Sequence, residues 1–179
     1  MIFRRLIFYL PFVLLTISVS SFGQKSPKPL PNFTGIWSLE KTTSNEPATG
    51  GPKTTKIQLK IDQDSSSVKI HRECQFDDKE YSHDLSYYLD SRGESNPSMA
   101  GGLILETKTK LKKQTLVIEG TARWVGAKET SAREREEWKL SSDGQILTIH
   151  VDNYFIQKSS EIIFSGPYQS IEYRFKLVR

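Results

Sequence analysis

Four charged or titratable side chains interrupt faces that are otherwise apolar. They are the residues of this chain best placed to do chemistry. Arg72 falls on the face of Val68, Ile70 and Cys74, and His83 on the face of Tyr81, Leu85, Tyr87 and Leu89. Glu134 and Glu136 share a face with Ala132, Trp138 and Leu140. A charge on an inward face costs several kcal/mol unless it is paired, so such positions need a reason. One reason is a cavity with a few polar anchors in aromatic walls, as ligand pockets have. Arg72, His83, Tyr87, Trp124 and Trp138 are then the candidate ligand-binding residues. A desolvated Arg72 would favour a ligand with an acidic or polar head. The other reason is structural. These residues would lie near strand ends, or Arg72 would pair with Glu134 or Glu136 in a filled core.

Other chemistry finds no support in spacing. His71, His83 and His150 form no His-x-His or His-Glu-x-x-His pattern, so no metal is expected. Gly-x-Ser-x-Gly is absent, and with it the usual nucleophile elbow. No phosphate loop or dinucleotide fingerprint is present, so no cofactor is expected. Asp62-Gln63-Asp64 lacks the Gly and Glu that a calcium loop needs at later offsets, and reads as a strand-end turn. Asn32-Phe33-Thr34 matches a glycosylation acceptor, a three-residue pattern common by chance. No catalytic motif is found, and the chain is expected not to be an enzyme. Cys74 is the only cysteine, which excludes an intrachain disulfide. It reads as a small buried apolar residue, with an intermolecular disulfide as the alternative.

The elements that must position these residues are strands. Period-two alternation runs from Phe33 to the end of the chain. Ile57, Leu59 and Ile61 alternate with Lys56, Gln58, Lys60 and Asp62, and a turn follows at Gln63-Asp64-Ser65-Ser66. Leu103, Leu105 and Leu111 share a face with Thr107 and Thr109. Leu116 and Ile118 open a run that continues towards Trp124. Ser142-Asp143-Gly144-Gln145 is a hairpin turn, followed by Leu147, Ile149 and Val151. Ile171, Tyr173, Phe175 and Leu177 close the chain. Lys128 to Glu137 is a mixed-charge run in which helix competes with strand. Asn45–Lys53 and Gly93–Gly102 read as loops, and Ile162-Ile163-Phe164 as a possible short strand. About nine strand-like stretches with short turns predict an all-β fold, a single antiparallel up-and-down β-barrel of about eight to ten strands.

The N-terminus reads as an export signal over residues 1–23. Arg4 and Arg5 precede an apolar run, Leu6 to Ile17, of about 12 residues, short of the ~20 that span a membrane. Ser21 and Gly23 suit cleavage between Gly23 and Gln24. A secreted or periplasmic protein is expected, with an uncleaved membrane anchor as the alternative. Pro27, Pro29 and Pro31 make residues 24–31 an extended linker, and residues 32–179 form the barrel domain. The chain carries 25 basic and 21 acidic residues, and loss of Arg4 and Arg5 leaves it near +2. So small a charge does not argue for nucleic acid as a partner. No stable membrane insertion is expected once the signal is cleaved, and the protein is expected to be a monomer.

Two short stretches carry a resemblance. Phe33-Thr34-Gly35-Ile36-Trp37 resembles the first strand of the calycin superfamily, which includes lipocalins and fatty-acid-binding proteins. Glu136-Glu137-Trp138-Lys139-Leu140-Ser141-Ser142-Asp143-Gly144 is similar to a late segment of secreted bacterial lipocalin-like proteins. The resemblance implies a lipocalin-like barrel in which Gly35 and Trp37 are a structural signature. It also implies that Trp37 packs at the closed end, with a basic residue of the last strand, Arg174 or Arg179, across it. A middle Thr-Asp-Tyr motif and a C-terminal helix are missing. The expected function is non-catalytic binding of a small, apolar or amphipathic molecule. The alternative is a cell-envelope or extracellular interaction protein with a filled barrel.

Overall fold

The computed structural model describes residues 30–44, 54–76, 79–97, 103–126, 130–155 and 169–178. The stretch expected to be an export signal, most of the expected linker, the expected Asn45–Lys53 loop, Ile162-Ile163-Phe164 and Arg179 lie outside the described residues. Ten strands account for nearly all of the rest. They are β1 (Gly35–Ser44), β2 (Thr54–Gln63), β3 (Ser67–Phe76), β4 (Lys79–Tyr88), β5 (Glu94–Pro97), β6 (Leu103–Lys112), β7 (Thr115–Trp124), β8 (Thr130–Leu140), β9 (Ile146–Phe155) and β10 (Gln169–Val178). Their spatial order is β4-β3-β2-β1-β10-β9-β8-β7-β6-β5. Every pairing is antiparallel, and β10 returns to β1. The result is an up-and-down barrel, nearly closed, as the alternation predicts.

The one seam lies between β4 and β5, where side chains replace ladder bonds. Asn96 Oδ1 accepts from the Ser86 N–H at 2.9 Å, and Asn96 Nδ2 donates to the Ser86 carbonyl at 3.0 Å. Glu94 Oε2 accepts from the Tyr88 N–H at 3.3 Å. Its other oxygen accepts from Thr107 and Thr109. This corrects the loop expected over Gly93–Gly102, of which Glu94–Pro97 is strand. The turn-like composition of that stretch misleads, because Glu94 and Asn96 direct their polar groups to strand edges rather than to a turn.

The mixed-charge run is also strand. In β8, Arg135 on the outward face bonds Glu119 and Glu137, while Lys139 reaches Glu137 at 2.8 Å and Lys110 reaches Glu119 at 2.8 Å. These partners sit on adjacent strands or two residues apart, as a β-ladder places them. Lys139 and Arg135 hold the Glu137 carboxyl down to about 2. The turns follow their local chemistry. Asp64 accepts from the Ser66 and Ser67 N–H groups at 2.7 Å each, which holds its carboxyl at about 2. Gly144 takes φ +68° in the β8–β9 hairpin, where L side chains are disfavoured.

The core fills one end of the barrel. Phe33, Val68, Leu116 and Leu147 are fully buried. Trp37 is 1% exposed, and its Nε1 donates to the Phe33 carbonyl at 2.9 Å. Its register neighbours are Leu59 and Leu177. A Cβ on Gly35 would stand 2.7 Å from Leu177 Cδ1, so the opening glycine lets β10 close over β1. Arg174 does not lie across Trp37. It sits on the outward parity of β10, where its Nε donates to Glu40 Oε2 at 2.9 Å. The inward parity of β10 belongs to Tyr173, Phe175 and Leu177, so Arg174 is corrected as that partner, while Arg179 lies outside the described residues.

Candidate functional site

Beyond the packed end, the lumen opens into a cavity of about 270 Å³. Its walls are mostly aliphatic, with Ile57, Leu59, Ile70, Leu85, Leu105, Ile149 and Val151 among them. Residues directly opposite in the ladder share a face, so the inward alternation of each strand carries its side chains to the same space. Where that alternation meets a polar residue, the polar group faces the cavity. Arg72 reaches it from β3; Tyr87 from β4; Glu134, Glu136 and Trp138 from β8; Asn153 from β9; Gln169 and Tyr173 from β10.

Arg72 lies between Leu59 and His83 in register. It is only 8% exposed, and its Nε and Nη2 have no hydrogen-bond partner. A buried guanidinium with idle donors is costly, because the hydration it gave up is not replaced. The expected pairing of Arg72 with Glu134 or Glu136 is therefore not made through those two nitrogens.

The two glutamates form a unit of their own. In the order of ten strands, β8 stands five places from β3, so they face Arg72 from the opposite wall. Glu136 Oε2 accepts from Trp138 Nε1 at 2.7 Å. Glu134 and Glu136 are bonded to each other, which needs a proton between them. Burial pushes the Glu134 carboxyl up to about 8, and the charge and hydrogen bond of Glu136 add to the shift. Arg72 acts in the opposite sense but does not prevail. Burial thus favours the protonated form of Glu134, which can donate a hydrogen bond. Burial, then Glu136, drives the Tyr87 phenol well above its ordinary value, and takes Tyr173 up to about 12. Both tyrosines remain neutral. Trp138 is held by aromatic edges, with Phe33 at 6.2 Å and Tyr87 at 6.1 Å between ring centroids.

The structure thus brings three of the five candidate residues, Arg72, Tyr87 and Trp138, to one cavity. The other two are elsewhere. Trp124 keeps the inward parity but ends β7 and is 58% exposed. His83 is half-buried beside Arg72 without lining the cavity. Its Nδ1 is buried without a partner, and burial with the Arg72 charge lowers its pKa. Alternation reports which side of a sheet a residue faces, not its height along the barrel. Asn153, Gln169 and Tyr173 went unnoticed as site residues, although each continues an apolar inward parity. Cys74 is buried in β3, and burial raises its thiol pKa. Among the described residues, no three His, Cys, Asp or Glu side chains are grouped to hold a metal ion.

No family model and no curated protein matches the sequence. Solved structures do match in three dimensions. Fatty-acid-binding protein 1 of Echinococcus granulosus shares 14% identity and a TM-score of 0.55, over 82% of this chain and 98% of that one. A secretory abundant heat soluble protein of Ramazzottius varieornatus shares 13% identity and a TM-score of 0.48, over 81% of this chain and 94% of that one. At such identities the likeness is one of fold: the chain forms an up-and-down β-barrel like that of the Echinococcus protein, here of ten strands.

Proposed function

We propose that this protein binds a small, partly apolar molecule inside its barrel, without transforming it. The observation that carries this reading is the cavity, about 270 Å³, with aliphatic walls and a buried Arg72 whose Nε and Nη2 have no partner. A void of that size approaches the range of small-molecule pockets. A guanidinium with idle donors supplies what such a pocket uses to orient its guest. A neighbour of the same fold is named for fatty acids, which adds support for an apolar body in the ligand. The open lumen counts against the filled barrel of an interaction protein. The N-terminal sequence supports an exported setting, in which the barrel would meet its ligand outside the cytoplasm.

Native mass spectrometry of the purified full chain tests this directly. The expected result is a co-purifying small molecule or, once the protein is stripped, saturable uptake of an apolar fluorescent probe. Leu105→Trp, which places a large ring in the cavity wall, should abolish the uptake while preserving the β-sheet spectrum. A stripped protein that takes up no probe, or a variant that takes up as much as the wild type, would sink the reading.

A further inference from the structure

The two polar walls of the cavity want different things, and that narrows the class of ligand. On β3, Arg72 offers two idle donors and a positive charge. On β8, the Glu134–Glu136 pair offers acceptor oxygens and negative charge, partly quenched by the proton it shares. A carboxylate on an apolar chain would satisfy Arg72 and leave its charge facing Glu136. An amine alone would satisfy the glutamates and leave Arg72 idle.

We infer that the ligand carries both functions on one small head, a donor nitrogen for Glu134 and Glu136 and an acceptor oxygen for Arg72, with its apolar body against the aliphatic walls. This rests on the reading of the barrel as a binding protein and adds the chemistry of the head. The head is zwitterionic, as in an amino acid. Opposite charges on its two ends match opposite charges on the two walls, so neither wall is left uncompensated. A charged nitrogen replaces the proton held between the glutamates, and that proton leaves to solvent. The groups that face the pair bear on this step: Arg72 from β3, Tyr87 from β4 and Tyr173 from β10, of which only Arg72 is charged near neutral pH.

Isothermal titration of the stripped full chain at pH 7 tests this with three probes that share one alkyl chain. They are 2-aminooctanoate, octanoate and octylamine. The expected order places 2-aminooctanoate at least about tenfold tighter than either of the others. Its binding heat should change with the ionisation enthalpy of the buffer, in the direction of proton release. Glu134→Gln with Glu136→Gln should bring 2-aminooctanoate down to the affinity of octanoate, and Arg72→Leu down to that of octylamine. Octanoate binding as tightly as 2-aminooctanoate, or a preference unchanged in both variants, overturns the inference and leaves the binding reading in place. The wild-type comparison decides even if a variant fails to fold. Failure of all three probes to bind overturns the inference, and the binding reading falls with it only where the apolar fluorescent probe is refused as well.

Discussion

Glu134 couples the cavity to the stability of the whole fold. Its carboxyl stands at about 8 in the folded protein, against 4.5 for an ordinary glutamate. Below the ordinary value both folded and unfolded chains hold the proton, and the full stability is present. As pH rises, the unfolded chain releases its proton first. The folded chain keeps it until about 8, so stability falls between about pH 4.5 and 8 and is flat above. Each unit of separation corresponds to about 1.4 kcal/mol. Glu134→Gln should flatten this slope, as urea unfolding at pH 5, 6.5 and 8 would reveal. His71, raised by Asp84 on the outer face, titrates in both proteins and cancels in the difference. An equal slope in the variant would show that Glu134 is not the source. At this scale the sequence was partly legible. Arg72, Glu134 and Glu136 stood out because each breaks an apolar alternation. Trp124 misled because it continues the alternation past the rim of the barrel, where a side chain meets solvent. That Nε and Nη2 of Arg72 lack partners could not be read at all, because partnership depends on distances across the lumen.

The seam between β4 and β5 is the element most dependent on single side chains. Asn96 is 4% exposed and supplies both a donor and an acceptor to Ser86. Asn96→Ala removes both and leaves two backbone groups short of partners. The expected loss is about 1–3 kcal/mol, with faster amide exchange at Ser86 than elsewhere in β4. Wild-type protection at Ser86 in the variant would show that the seam is held by something else. The β6–β7 pair relies instead on a missing side chain. A Cβ on Gly120 would stand 2.2 Å from the Glu106 carbonyl oxygen and 2.7 Å from the Thr107 Cα. Backbone cannot yield as a side-chain tip does. Gly120→Ala should therefore cost about 1–3 kcal/mol by overpacking, read as a lower urea midpoint. A midpoint within error of wild type would mean the ladder shifts freely there. Strand existence was legible wherever alternation ran for several residues, and the Asp64 and Gly144 turns were legible from residue type. Strand β5 was not, because Glu94-Ser95-Asn96-Pro97 has loop composition and becomes strand only through its bonds to β4 and β6.

The barrel as a whole is packed at one end and hollow beyond it, and the hollow part sacrifices stability for access. Phe33, Trp37, Leu116 and Leu147 fill the packed end, while the cavity beyond leaves aliphatic walls without contacts on one side. If that space serves a ligand, filling it should make a more stable and less useful protein. Ala132 lines the cavity from β8. Ala132→Leu adds three carbons to open space rather than to a packed core, so the usual penalty of overpacking does not apply. At ~0.8 kcal/mol per buried CH2, less the cost of ordering the side chain, the gain is about 1–2 kcal/mol. The expected outcome is a higher unfolding midpoint for the stripped variant than for the stripped wild type, together with weaker uptake of an apolar probe. The ligand-loaded wild type should recover the difference, because a molecule bound only to the folded state stabilises it by mass action. A variant that is destabilised and still binds the probe would show that Ala132 faces packed neighbours, and that the hollow lies elsewhere.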